Sequence, residues 1–108
     1  MKPKRYSFIF KIKPELKDEY KRDHDKIWPD MARALRRSGF RNYSIFFRKD
    51  GTLFGYFESR DPKSTFERMA KQEVNGRWQN AMAKYFVKKD SAVVGPEMDE
   101  LEEVFHID

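Results

Sequence analysis

Between Phe40 and Ser59 the chain reads FRNYSIFFRKDGTLFGYFES, two aromatic-rich runs hinged on one Asp-Gly pair. Asp-Gly between such runs is a strong short-range signal for a tight hairpin, because glycine supplies the positive φ that the turn requires. Strands over 40–49 and 52–59 are therefore expected to pair antiparallel. The rest of the chain has to be built around that ribbon, because an isolated two-stranded hairpin is marginal in water.

A third strand is legible upstream. RYSFIFKIK (5–13) alternates Tyr6, Phe8, Phe10 and Ile12 against Ser7, Ile9 and Lys11, the period-two pattern of a strand with one apolar face. Pro14 then suits a first helical position, and PELKDEYKRDH carries Leu16, Tyr20 and His24 along one side of a helix. Trp28 precedes Pro29 and should be extended, so a second helical segment starts at Pro29, with Met31, Ala34 and Leu35 inward and Gly39 as its stop.

After the hairpin, Asp61-Pro62 reads as an N-cap and first turn, with Phe66, Met69 and Ala70 facing inward. Asn75-Gly76 is expected to interrupt that helix, and RWQNAMAKYF resumes it with Trp78, Met82, Tyr85 and Phe86 at helical spacing. KKDSAVVGPEMDE reads as a loop and LEEVFHI (101–107) as a last strand. The order is βαββαβ, an α+β ferredoxin-like arrangement of one antiparallel sheet with each helix broken in two. Helices cover one sheet face and leave the other open. Since that second face also carries apolar residues, a second copy of the chain or a ligand is expected to cover it.

With 108 residues the chain suits a single domain over 1–108. It has no cysteine, which excludes disulfides, thiolate metal sites and cysteine nucleophiles, and it has only two histidines, so no metal site is expected. MKPKRYSFIF lacks an apolar core of signal-peptide length, because Lys11 and Lys13 interrupt it. No run is long enough to span a bilayer, so a cytoplasmic protein with no membrane partner is expected. Lys and Arg outnumber Asp and Glu by 23 to 18, which raises the question of nucleic acid. The basic residues are scattered, however, and most have an acidic neighbour within a helical turn. TLFGYFES has the look of an aromatic RNA-binding strand, but Thr52-Leu53 stand where its basic residue and glycine belong, so nucleic acid is not the expected partner.

YKRDHDKIWPD (20–30) holds the residues best suited to chemistry. Tyr20 and His24, four apart, project to one side of a helix. An imidazole exchanges protons near neutral pH, and a phenol can orient a hydroxyl. The same spacing equally describes an ordinary, partly buried helical pair; Trp28-Pro29 reads as a wedge at a helix corner or as a flat apolar wall that packs against the C–H face of a bound sugar. Tyr43, in phase with Ile45 and Phe47, reads as sheet packing or as a polar tip over the sheet; Trp78 reads first as core, and His106 as structural.

Together these residues resemble the L-rhamnose mutarotase family. The resemblance rests on Tyr20-x-x-x-His24-x-x-x-Trp28-Pro29 after the first strand, Asn42-Tyr43-Ser44-Ile45 on the second, Arg77-Trp78, and Glu103-Val104-Phe105-His106 near the end. It implies a dimeric ferredoxin-like α/β barrel that interconverts the α and β pyranose anomers of an L-sugar, L-rhamnose first, with no cofactor. His24 matches the family's acid/base histidine, Tyr20 and Tyr43 its sugar-binding tyrosines, and Trp78 the first of two adjacent pocket tryptophans. Gln79 stands in place of the second, and the loop over 88–99 lacks the Asn-Pro-Asp-Asn-Ser-Pro stretch of typical members. The expected mechanism has His24 donating to the ring oxygen while Tyr20 or a water handles the other proton. A cofactor-free monooxygenase on the same fold is the competing enzyme class.

Overall fold

In the computed structural model, which describes residues 2–88 and 95–108, four strands form one antiparallel sheet in the order β2-β3-β1-β4. These are β1 (Lys4–Lys11), β2 (Arg41–Phe47), β3 (Thr52–Ser59) and β4 (Asp99–Leu101). The hairpin is as expected: Arg48 N–H donates to Thr52 O at 2.8 Å and Gly51 N–H to Arg48 O at 2.9 Å. A 3-10 turn over Pro14–Leu16 leads into α1 (Lys17–Asp25), followed by α2 (Pro29–Ser38), α3 (Pro62–Ala70) and α4 (Glu73–Met82).

The starts and stops follow the expected chemistry. Trp28 is extended at φ −60° and ψ 134°, and α2 ends on Gly39 at φ 114°, a left-handed angle that glycine reaches without a Cβ clash. Asp61 caps α3, accepting from the Ser64 hydroxyl at 2.9 Å. Two expectations shift. The break between the later helices falls at Lys71 and Gln72, while Asn75 and Gly76 lie inside α4. A Cβ at Gly76 would meet nothing within 4 Å, so the glycine sits on an unobstructed helix face and ends nothing.

The last strand is Asp99–Leu101, not 101–107. It pairs with Ser7–Ile9 of β1, and from Glu102 onward the tail has left the sheet, with its first arginine contact from Arg5 to Glu103 at 2.7 Å. Of the expected loop over 88–99, residues 89–94 lie outside the described part.

The core fills the helix-covered side. Phe8 and Phe10 of β1, Ile12 just after it, and Leu53 and Phe57 of β3 meet Met31 and Ala34 of α2, Met69 of α3, and Val74, Trp78 and Met82 of α4. Phe8 lies flat over Gly55, where a Cβ would come within 2.2 Å of the ring, so only glycine lets the two strands hold that ring. Two buried polar clusters are satisfied locally: the Ser59 and Thr65 hydroxyls share a 2.7 Å hydrogen bond, and Arg68 Nε donates to Ser38 O at 3.0 Å.

Among the described residues the opposite sheet face is bare. Phe46 is 66% exposed there, and in the tail Val104 is 86% and Phe105 and Ile107 are each 76% exposed. No helix among the described residues is long and apolar enough to cross a membrane.

Candidate active site

The four-residue spacing of Tyr20 and His24 fixes more than a shared side. Their rings lie 4.1 Å apart at 31°, and His24 Nδ1 is 2.9 Å from the Tyr20 backbone oxygen. A carbonyl oxygen only accepts, so Nδ1 carries the proton and Nε2 is left with a lone pair in the neutral ring. Burial lowers the histidine's pKa from its usual value, and the contact to Tyr20 O and the charges of Asp23 and Asp25 only partly oppose that shift. His24 is therefore neutral at neutral pH, a base at Nε2.

His24, Tyr20, Tyr43 and Gln79 line one open cleft of about 1450 Å³ between the helices and the sheet. That exceeds the ~300–1,000 Å³ of typical small-molecule sites, in keeping with a cleft whose mouth is wide. Tyr43 reaches it from β2, its ring stacked on Phe40 at 5.2 Å. Tyr43 is 37% exposed, and burial raises its hydroxyl to about 12. Tyr20 is pushed up further still by burial, with the nearby Tyr43 adding to the shift. Both phenols stay protonated at neutral pH and can donate hydrogen bonds.

Trp28 and Trp78 do not face the cleft. Trp78 is buried, edge-on to His24 at 5.2 Å and 82°, and Trp28 meets Trp78 edge-on at 5.0 Å and 89°. The reason is helical phase: Val74, Trp78 and Met82 form the buried stripe of α4, whereas Gln72, Asn75, Gly76 and Gln79 share a different side, which meets the cleft. The tryptophans thus brace the imidazole from behind. Arg77 covers the outer face of Trp28 at 5.8 Å and pairs with Asp30 at 3.2 Å, tying α4 to α2.

Gln79 does reach the cleft wall. Its Nε2 donates to Asn75 Oδ1 at 3.2 Å, and its buried Oε1 has no partner among the described residues. His106 lies away from the cleft, paired with Asp108 at 2.8 Å.

Sequence reasoning missed several contributors. Phe8, Phe10 and Phe40 supply the cleft's aromatic floor, and Asn75 and Gln72 extend its polar wall. The i, i+3, i+4, i+7 spacing of 72, 75, 76 and 79 was the available signal, hidden by placing a helix break at Asn75-Gly76. Tyr85, fully buried, donates its hydroxyl to Asp23 at 2.5 Å and sets its ring edge-on to Tyr20 at 5.4 Å. Among the described residues no group of three or more His, Asp or Glu side chains could hold a metal ion.

The sequence profile of the family described as L-rhamnose mutarotase matches residues 5–107. This chain belongs to that family. An L-rhamnose mutarotase of Oceanobacillus iheyensis is 39% identical over 106 residues, covering 97% of this chain and 99% of the relative. The L-rhamnose mutarotase of Bacillus subtilis is also 39% identical, over the same shares of the two chains. The crystal structure of an L-rhamnose mutarotase from Formosa agariphila superposes with a TM-score of 0.81 at 30% identity, covering 97% of this chain and 99% of that one. The ferredoxin-like arrangement expected from the strand and helix order is therefore that of a solved family member along nearly the whole chain. Several of the basic residues that raised the question of nucleic acid are engaged in ion pairs on the surface, Arg5 with Glu103, Lys21 with Asp25, Arg48 with Asp50 and Lys84 with Glu19.

Proposed function

We propose that the chain is a cofactor-free carbohydrate isomerase that interconverts the α and β pyranose anomers of L-rhamnose, with His24 as its acid/base group. Family membership supports the reaction. The observation that carries the mechanism is the Nδ1 contact of His24 to Tyr20 O, which leaves Nε2 as the working atom in a cleft furnished with two neutral phenols.

Ring opening breaks the bond between the anomeric carbon and the ring oxygen. It transfers one proton from the anomeric hydroxyl to that oxygen, leaving an open-chain aldehyde. A neutral imidazole begins as an acceptor, so Nε2 takes the hydroxyl proton first, and the ring oxygen receives its proton from the imidazolium directly or through the Tyr20 hydroxyl or a water. The expectation from the sequence has His24 as the donor to the ring oxygen; here it begins as the acceptor. Tyr20 is too weak an acid to work as a phenolate, but a neutral hydroxyl can accept and donate in one relay step. Rotation about the first carbon–carbon bond and closure by the reverse steps give the other anomer. Tyr43 and Gln79 hold the sugar's hydroxyls over the aromatic floor, which packs against its C–H surface. The cleft's polar contributions favour this polyol over the aromatic substrate of a monooxygenase.

The bare sheet face and apolar tail support a homodimer, in which a second copy covers both. We place the protein in the cytoplasm. Magnetisation-transfer NMR on L-rhamnose tests the reaction: the protein should accelerate exchange between the two anomer signals, and an unchanged exchange rate overturns the reading. Sedimentation equilibrium should give a dimer mass, and a monomer at micromolar concentration overturns that assignment.

The lowered His24 pKa carries a pH prediction. The base form persists below the usual histidine value, so the enzymatic rate, with the spontaneous rate subtracted, should stay level down to about pH 6.5 and fall only below it. The unfolded chain binds that proton more readily than the native one. His24 therefore contributes stability above about pH 6.5 that is lost as pH drops toward the native pKa, and Tm should fall in the same window. An acid limb centred above about 6.5 would contradict both.

A further inference from the structure

Residues three apart on a regular strand point to opposite faces of a sheet, yet Phe40 and Tyr43 stack on the same one, ring centroids 5.2 Å apart and planes at 20°. The pairing register explains how. Arg41 stands opposite Glu58 and Ser44 opposite Tyr56, so Asn42 and Tyr43 together face the single residue Phe57. This is a β-bulge, and its extra residue is Asn42 at φ 48°, the only non-glycine residue with positive φ among those described.

A left-handed residue at this point absorbs one position of the alternation. Arg41 is free to turn outward, where its Nη1 donates to Arg36 O at 2.9 Å and to Phe40 O at 2.8 Å. Phe40 and Tyr43 both turn inward onto Phe57, at 4.5 and 5.9 Å. Asparagine is among the side chains that tolerate this conformation best, and here it is also anchored, its Nδ2 donating to Glu58 Oε1 across the strand at 3.2 Å. Glu58 in turn accepts from the Tyr56 hydroxyl at 2.8 Å, so the anchor is itself held.

We propose that Asn42 is a positioning residue for catalysis: its left-handed backbone sets the bulge that brings Phe40 beneath Tyr43 and so fixes the Tyr43 ring in the cleft. The inference rests on the reading above that Tyr43 contacts the sugar. A bulge beside a site commonly re-aims one side chain; here Tyr43 keeps the phase of Ile45 and Phe47, and the bulge brings Phe40 onto the same face, beneath one of the cleft's two phenols. Asn42 itself is exposed on the far face of the sheet and does not touch the sugar.

Three variants and one double variant, assayed by anomer exchange on L-rhamnose with kcat and KM separated and Tm recorded, test it. Asn42→Gly keeps the backbone conformation while losing the Glu58 anchor, and its KM should stay within about twofold of the parent. Asn42→Ala disfavours positive φ, relaxes the bulge and should raise KM about tenfold while leaving kcat nearly unchanged. Tyr43→Phe should raise KM by itself, and adding Asn42→Ala to it should raise KM little further, because the hydroxyl being held in place is already gone. A purely structural role would instead lower Tm and the active fraction in Asn42→Ala with KM unmoved, and that result overturns the proposal. So does an Asn42→Gly variant as impaired as Asn42→Ala. If Tyr43→Phe has the parent's KM, the placement of Tyr43 on the sugar fails and the role of Asn42 falls with it. If Tyr43→Phe is impaired and Asn42→Ala is not, only the inference about Asn42 fails.

Discussion

His24→Ala should remove most of the enzymatic exchange between L-rhamnose anomers, a loss of roughly 10²–10⁴-fold, the usual worth of one well-placed acid/base group. The expectation follows from how few groups in the cleft can change protonation near neutral pH. Burial holds the hydroxyls of Tyr20 and Tyr43 far above that range, and the Nδ1–H of His24 is committed to Tyr20 O, which leaves Nε2 to take and return the proton. Because His24 is packed between Tyr20 and Trp78, truncation also removes ring contacts, so His24→Gln, which keeps more of the volume, is the cleaner variant. Both variants should keep the parent's circular dichroism and still bind the sugar. Magnetisation-transfer NMR measures the outcome, and exchange at the parent's rate in a folded His24→Gln protein would rule out the imidazole as the acid/base group.

The legible part of this protein was the part governed by local chemistry. The hairpin at Asp50-Gly51, the stop at Gly39, the extended Trp28 and the Asp61 cap are each fixed by one or two residues whose backbone or hydrogen-bonding preferences have few alternatives. Tyr20 and His24 were readable for the same reason, because a spacing of four on a helix puts two side chains in contact wherever the helix goes. The errors lie where a local signal competes with packing. Asn75-Gly76 looks like a break, but burial of Val74, Trp78 and Met82 along one stripe holds α4 together through it. That misplaced break hid the stripe shared by 72, 75, 76 and 79, and with it the polar wall to which Gln79 belongs. The strand expected over 101–107 pairs with β1 only at its first residue, Leu101, although β1 itself runs on to Lys4. The bulge at Asn42 was beyond sequence reading, since nothing in Arg-Asn-Tyr-Ser says which residue opposite will be skipped.

Phe57→Ala should be the most destabilising single truncation in the sheet. Phe57 is completely buried at the middle of β3, and its ring meets Phe40 at 4.5 Å, Tyr6 at 5.1 Å, Phe66 at 5.4 Å and Tyr43 at 5.9 Å. Those partners come from β1, the turn before β2, β2 itself and α3, so no one element can move in to fill the space. A buried Phe→Ala change costs about 3–5 kcal/mol, against a total of about 5–15 kcal/mol for a typical domain. At about 4–8 °C per kcal/mol for a domain near this size, Tm should fall by at least about 12 °C, measured at fixed protein concentration because dimerisation would also contribute. Phe57→Leu, which keeps most of the volume, should lose much less. The effect should reach the site as well. Phe57 is the residue that Asn42 and Tyr43 jointly oppose, so a cavity there removes the surface on which Tyr43 rests. The folded fraction of Phe57→Ala should therefore show a raised KM with a smaller change in kcat, the signature of a displaced binding group rather than a lost proton carrier. A Tm within about 3 °C of the parent would mean that the neighbouring rings collapse into the gap, and that the aromatic cluster is not the rigid floor on which Tyr43 is aimed.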